Sequence, residues 1–149
     1  MVPFAGLVAA FAVLAVLGHF GIPVSYGWWT SLRLALSGMF LLTASAHWGR
    51  RRPDLVRMVP AGLPQRERLV TLTGIAEIAG AVGLLIPAVA RPAATGLALL
   101  LVAVFPANVH AARHRVAIAG RPALPLLPRT LIQVAFLAAT VAVAVGGER

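Results

Sequence analysis

The chain has 149 residues, 60% of them hydrophobic and only 11% charged, with a mean hydropathy of +0.90; a soluble fold of this size cannot hide so much apolar surface. The net charge of +9 comes from 13 basic residues that are all Arg; most sit between long charge-free stretches, a layout of membrane-protein loops beside anionic lipid and not of a nucleic-acid interface. With no Cys there is no disulfide framework, thiolate metal site or thiol redox centre, so any redox role needs a bound cofactor or a partner.

Spanning the hydrocarbon core takes about 20 mostly apolar residues, and five segments approach that length: 3–20, 29–48, 69–87, 90–111 and 130–145. The fold class expected is therefore all-α, a polytopic transmembrane helix bundle in one domain, 1–149. The first segment has no basic residue ahead of it and no small-x-small site after Phe20, so it reads as a retained helix and not a cleaved signal peptide. In the second, Arg33, Ser37, Phe40, Ala44 and His47 follow a spacing of four, three, four and three and share one face. Arg33 and His47 cap the two ends of this inward stripe.

The loop after the second segment holds Arg50, Arg51, Arg52, Arg57, Arg66 and Arg68, punctuated by Pro53, Pro60 and Pro64. In the third segment, Gly74, Gly80, Ala81 and Gly83 let a neighbouring helix approach closely. Glu77 is the most unusual residue of the chain. It lies about 13 Å into its helix at about 1.5 Å per residue, near the bilayer midplane, where an ionisable group is expensive and faces the bundle interior or a wet cavity. It reads either as a ligand or proton-exchanging residue or as a lock between helices.

The fourth segment carries Phe105-Pro106-Ala107-Asn108-Val109-His110. Pro106 removes the hydrogen bond to the carbonyl of Val102 and kinks the helix, leaving a carbonyl and the Asn108 amide to hold a polar group or to be satisfied by a neighbouring helix. Asn108 and His110 are about 200° apart around the helix, and Asn108 is the one assigned to the interior. His110 and His114 have the i, i+4 spacing of a metal pair, but beside Arg113 and Arg115 they read as a basic interfacial cluster, and no metal site is assigned. The loop that follows contains Arg113, Arg115, Arg121 and Arg129 with Pro122, Pro125 and Pro128. On the fifth segment Gln133 lies at a depth like that of Asn108 and His47, so His47, Glu77, Asn108 and Gln133 can form one polar cluster opening toward the cytoplasm.

The Arg-rich loops belong on the cytoplasmic side, which places the N-terminus in the cytoplasm, the C-terminus outside, Tyr26, Trp28 and Trp29 at the outer interface and Trp48 at the inner one. G-x-G-x-x-G, P-loop, H-E-x-x-H and G-x-S-x-G motifs are all missing, so nothing points to nucleotide use or hydrolysis.

From Ser31 to the end of the fifth segment the chain resembles the DoxX family of small bacterial membrane proteins. The resemblance rests on Arg33 heading a helix that ends in His47-Trp48; on Leu69-Val70-Thr71-Leu72-Thr73-Gly74-Ile75-Ala76-Glu77 with Gly80 and Gly83-Leu84-Leu85-Ile86-Pro87; on Val104-Phe105-Pro106-Ala107-Asn108-Val109-His110; and on Leu131-Ile132-Gln133. It implies a four-helix core plus an additional N-terminal helix, in the bacterial inner membrane, associated with redox complexes. Distantly similar bundles handle quinones. The expected function is thus binding of a lipophilic small molecule, a quinone among the candidates, at an interhelical polar site, with Glu77 and His47 in catalytic roles and Arg33, Thr73, Asn108 and Gln133 binding the ligand. The expected partners are the bilayer, a redox protein and a second copy of the chain. The alternatives are a non-catalytic subunit or scaffold, and an acid–base enzyme with Glu77 as proton donor to a lipophilic substrate.

Overall fold

A computed structural model describes residues 27–146. The first expected span, 3–20, lies outside the described residues, as does Tyr26. The chain from there on is mostly helical: α1 (Trp28–Ser45), α2 (Arg52–Met58), α3 (Arg66–Leu85), α4 (Ala90–Arg113) and α5 (Leu126–Gly146), with a 3₁₀ turn at Pro87–Val89 and a small hairpin, β1 (Ala117–Ile118) paired antiparallel with β2 (Arg121–Pro122).

Local chemistry sets the helix ends. α1 starts after Gly27, whose φ of 92° suits glycine. It finishes in a tightened turn, the amides of Ala46 and His47 donating to Thr43 and Ala44 three residues back. His47 therefore stands in this turn, two residues beyond the end of the helix on which the spacing places it. α2 has Pro53 in its first turn, Asp54 beside it and Arg57 in its last turn, each at the end its shape or charge favours. α3 stops two residues before Pro87, and α4 runs without interruption through Pro106. The hairpin turn places Ala119 and Gly120 at φ 52° and 74°, the pair of positive angles that a two-residue turn of this hand requires.

The four long helices form a closed ring in the order α1, α3, α4, α5, each antiparallel to its neighbours. Residue contacts fix the directions: Arg33 meets Leu84 while His47 meets Gly74, Gly83 meets Ala93 while Gly80 meets Leu97, Asn108 meets Arg129 while Leu101 meets Gln133, and Trp29 lies against Gly146. Each helix contributes to one buried core, with Leu36 and Phe40 from α1, Leu84 from α3, Leu97 from α4 and Phe136 and Val143 from α5. The outside is apolar as well: Leu72, Ile75 and Val82 on α3, Leu99 and Val102 on α4, and Leu127, Leu131 and Val145 on α5 are all exposed. A water-facing surface of that kind would be an aggregation hazard, whereas in lipid it is the expected finish. Among the described residues three helical stretches are long and apolar enough to cross a membrane, Arg66–Leu85, Pro87–Arg113 and Leu126–Gly146; α1, expected as a span at 29–48, is not one of them. This is a membrane-type helix bundle.

Small residues make the closest approaches, as their spacing on α3 predicts. A Cβ added at Gly74 would stand 2.7 Å from His47, and one at Gly83 would stand 2.7 Å from the Cβ of Ala93. Ala81 is fully buried. Two parts of the loops carry structure beyond the sequence expectation. Asp54 of α2 pairs with Arg57 and also accepts the Ala119 amide at 2.8 Å, which ties α2 to the hairpin and turns the two Arg-rich loops into one ordered layer.

Candidate functional site

The polar residues expected to form one cluster fall into two seams. The first lies between α1 and α3. At one end Arg33 is buried, and its Nε donates to the carbonyl of Leu84 at 2.8 Å. That carbonyl belongs to the last turn of α3, where main-chain acceptors lack helical partners and a cation is favoured; Arg33 acts as a cap supplied by the neighbouring helix. One turn along, the hydroxyl of Ser37 donates to the carbonyl of Ala81 at 2.8 Å.

The ionisable pair follows. Oε2 of Glu77 is 2.9 Å from the hydroxyl of Thr43 and 4.0 Å from Nδ1 of His47. Nε2 of His47 is 3.3 Å from the hydroxyl of Thr73, and Nδ1 is 3.3 Å from the carbonyl of Ala44. Below them Arg52 donates to the carbonyl of His47 at 2.8 Å and to Thr71 at 2.9 Å, fixing the turn that carries the imidazole. Gly74 is what allows that turn to sit against α3.

Each hydroxyl in this group has one proton and two acceptors within reach. Thr43 can donate to the carbonyl of its own Phe40 at 3.0 Å or to Glu77, and Thr73 can donate to Val70 at 3.0 Å or to His47. With Glu77 protonated and His47 neutral, Glu77 donates to Thr43, Thr43 to Phe40, Thr73 to Nε2, and Nδ1–H to Ala44. With Glu77 ionised and His47 charged, Thr43 turns to Glu77, Nε2–H donates to Thr73, and Thr73 turns to Val70. Both protonation patterns satisfy every donor; passing from the first to the second takes the transfer of a proton from Glu77 to Nε2 of His47 as well as two hydroxyl rotations. Oε1 of Glu77 accepts no hydrogen bond among the described residues, and its side chain retains 15% exposure. Leu42 and Ile78, the chain neighbours of Thr43 and Glu77, are exposed apolar residues.

The second seam joins α4 to α5. Asn108 donates through Nδ2 to Oε1 of Gln133 at 2.6 Å, and Gln133 donates through Nε2 to the carbonyl of Leu101. Arg129 donates twice to Oδ1 of Asn108, at 3.1 and 2.9 Å, and reaches the sulfur of Met58. Asn108 is half-buried and turned toward α5. The polar side chain that meets the Pro106 region comes from the neighbouring helix, Gln133 taking the carbonyl next to Val102. No hydrogen bond among the described residues links this network to His47 or Glu77.

Thr43, Arg52 and Arg129 are members of these networks that the sequence does not single out as site residues, Arg52 and Arg129 being read there as loop cations. A signal existed for two of them: Thr43 precedes His47 by four residues and Arg129 precedes Gln133 by four, so each shares a helix face or its extension with a residue already singled out. His110 and His114 stack with ring centroids 4.2 Å apart, and no group of three or more potential metal ligands exists among the described residues.

No curated protein and no solved structure shows significant similarity to the chain. Residues 36–146 match the family described as Domain of unknown function (DUF8561), a stretch that begins within α1 and takes in both polar seams apart from Arg33, and the chain belongs to that family.

Proposed function

We propose that the chain binds a lipophilic molecule bearing a hydrogen-bonding oxygen, of the quinone class, at the α1–α3 seam, and that Glu77 and His47 exchange protons with it. The observation that carries this reading is Oε1 of Glu77, part-exposed and without a hydrogen-bond partner among the described residues while Oε2 is held by Thr43. A quinone supplies two-electron redox chemistry when bound. The chain's own groups would orient its carbonyl, deliver a proton from Glu77 and replenish it through His47, whose turn is anchored by Arg52. Electrons would come from a partner redox protein, since the chain has no Cys.

On the same reading the ring α1, α3, α4, α5 is a DoxX-like core with a further N-terminal span, in the bacterial inner membrane. The ordered Arg-rich layer then faces the cytoplasm and the Pro87–Val89 turn faces outward. Mass spectrometry of organic extracts from detergent-purified protein tests the ligand: a quinone or related lipophile in the wild type and its loss in Glu77→Gln support the site. An empty wild type with a stable fold defeats it. One observation favours a second reading, a scaffold subunit: α2 and the hairpin are locked together through Asp54, which gives the loops a defined shape for a partner to recognise. Co-purification of a soluble enzyme with a ligand-free protein would favour it.

A further inference from the structure

Where α4 ends and α5 begins, the chain builds a groove of about 600 Å³. Its lining includes Arg113 and Arg115 on one side and Pro122, Leu124, Pro125 and Leu126 on the other. We propose that this groove is a binding site for an anionic phospholipid, its phosphodiester held by Arg113 and Arg115 and an acyl chain lying along α5.

Three observations carry the proposal. The first is charge. Arg113 and Arg115 are exposed, and neither guanidinium has a hydrogen-bond or ion-pair partner among the described residues. The nearby acid, Asp54, is already committed to Arg57 and to the Ala119 amide. Two guanidiniums without counter-charge, two residues apart, suit a phosphate, to which Arg donates through a planar fork.

The second is the apolar continuation. Leu127 and Leu131 are 70% and 61% exposed and lie four residues apart on the first turns of α5, forming one ridge that leads away from the groove. Both α4 and α5 are candidate membrane spans, so their junction stands where hydrocarbon gives way to water. Cation above and exposed leucines below reproduce the order of headgroup and chain in a phospholipid.

The third is the backbone. The amide of Val116 donates to the carbonyl of Ala111 at 3.0 Å, the closing bond of a motif whose left-handed position ordinarily belongs to glycine. Here that position is Arg115, with φ of 47°. The fold accepts a strained residue where glycine would be easier, and the side chain so retained is one of the two cations of the groove. The groove is also held in shape: Ala123 donates to Val116 at 3.0 Å, and the hairpin is fixed to α2 through Asp54.

Because glycine is the better residue for that turn, Arg115→Gly separates binding from folding. The full-length protein in detergent would be titrated with short-chain phosphatidylglycerol, short-chain phosphatidylcholine and inorganic phosphate, with binding followed by native mass spectrometry and thermal unfolding. The expected result is retention of phosphatidylglycerol with a rise in Tm, no such retention of phosphatidylcholine, and no shift from phosphate at the same concentration. Arg115→Gly should unfold no earlier than wild type without lipid yet bind phosphatidylglycerol at least tenfold more weakly, and Arg113→Ala/Arg115→Gly should bind it weaker still. Arg50→Ala/Arg51→Ala, a control on the same face, should bind as wild type does. Equal retention of phosphatidylcholine, a phosphate shift equal to that of the lipid, undiminished binding in the double variant, or an equal loss in the control would each overturn the proposal, the last by showing a diffuse charge effect.

Discussion

Gly74→Ala tests whether the α1–α3 seam is as close as the structure has it. The added Cβ would stand 2.7 Å from Cβ and Cγ of His47 and 2.8 Å from Cη2 of Trp48. Carbon atoms settle at about 3.5–4.0 Å, so the turn must retreat by roughly 0.8 Å or more. A retreat of that size breaks the 3.3 Å contact between His47 and Thr73. Two opposing contributions decide stability: alanine improves helix propensity by about 1 kcal/mol, and overpacking of a well-fitted contact costs about 1–3 kcal/mol. The net is a destabilisation of about 0–2 kcal/mol, a fall in Tm of up to roughly 6 °C for a domain of this size. Gly96→Ala on α4 is the control, since nothing lies within 4 Å of its added Cβ. It receives the propensity gain alone and should raise Tm by roughly 3 °C. Thermal unfolding of both variants in one detergent gives the comparison. If Gly74→Ala stabilises as much as Gly96→Ala, α1 and α3 are not in the contact described and the geometry around His47 is wrong.

Four further outcomes are expected. Ser37→Ala removes a single interhelical bond to Ala81 and should cost about 0.6 kcal/mol, the average for such bonds in a membrane protein, read as a small loss in Tm. Arg33→Met leaves the Leu84 carbonyl without its charged donor and should cost about 1.5–3 kcal/mol, clearly more than Ser37→Ala in the same unfolding assay. Gln133→Leu strands the Asn108 amide and the Leu101 carbonyl together; a loss of about 1–3 kcal/mol is expected, with Glu77-dependent ligand retention unchanged because the two seams share no hydrogen bond. The chain has no Cys, so Ala88→Cys and Gly62→Cys report orientation directly. An impermeant maleimide should label the first on intact cells and the second only after permeabilisation, and the reverse pattern would invert the proposed topology.

The long helices were legible because hydrocarbon sets a length and proline sets ends. The segments expected at 69–87 and 90–111 appear as Arg66–Leu85 and Ala90–Arg113, and Pro87 marks the break between them. His47 marks the limit of periodicity: the spacing from Arg33 continues through it, yet the residue stands in the turn past Ser45, because periodicity records a face and not the point at which the main chain leaves the helix. α2 was illegible for a different reason. Seven residues are too few for an apolar period, and its stability comes from Pro53, Asp54 and contact with the hairpin. The hairpin itself has Ala119 where Asn or Asp would have signalled the turn. The candidate site was legible as a set of expensive residues but not as a pairing, since depth along a helix orders His47, Glu77, Asn108 and Gln133 without saying which seam each one enters.

How the helices are held bears on which polar residue is free to act. Between helices in lipid there is no hydrophobic drive, so close packing and hydrogen bonds must do the holding. The α3–α4 seam relies on close packing, with Gly80 against Leu97 and Gly83 against Ala93. The α1–α3 and α4–α5 seams use side chains that reach a neighbour's carbonyl: Arg33 to Leu84, Ser37 to Ala81 and Gln133 to Leu101. Those three residues are tied to main-chain acceptors that no proton transfer would release. Glu77 and His47 differ, because each has a hydroxyl partner that can rotate, Thr43 for Glu77 and Thr73 for His47, even though Nδ1 of His47 also meets the carbonyl of Ala44, and one carboxylate oxygen of Glu77 has no partner among the described residues. Glu77→Gln keeps the shape and one oxygen but cannot give up a proton, so it should preserve the seam's stability while abolishing any proton exchange at it. Thr43→Val removes the rotating hydroxyl instead and should slow exchange without removing the acid. Equal proton-coupled turnover in wild type and Glu77→Gln would return Glu77 to the class of Arg33 and Ser37, a residue that holds helices together and nothing more.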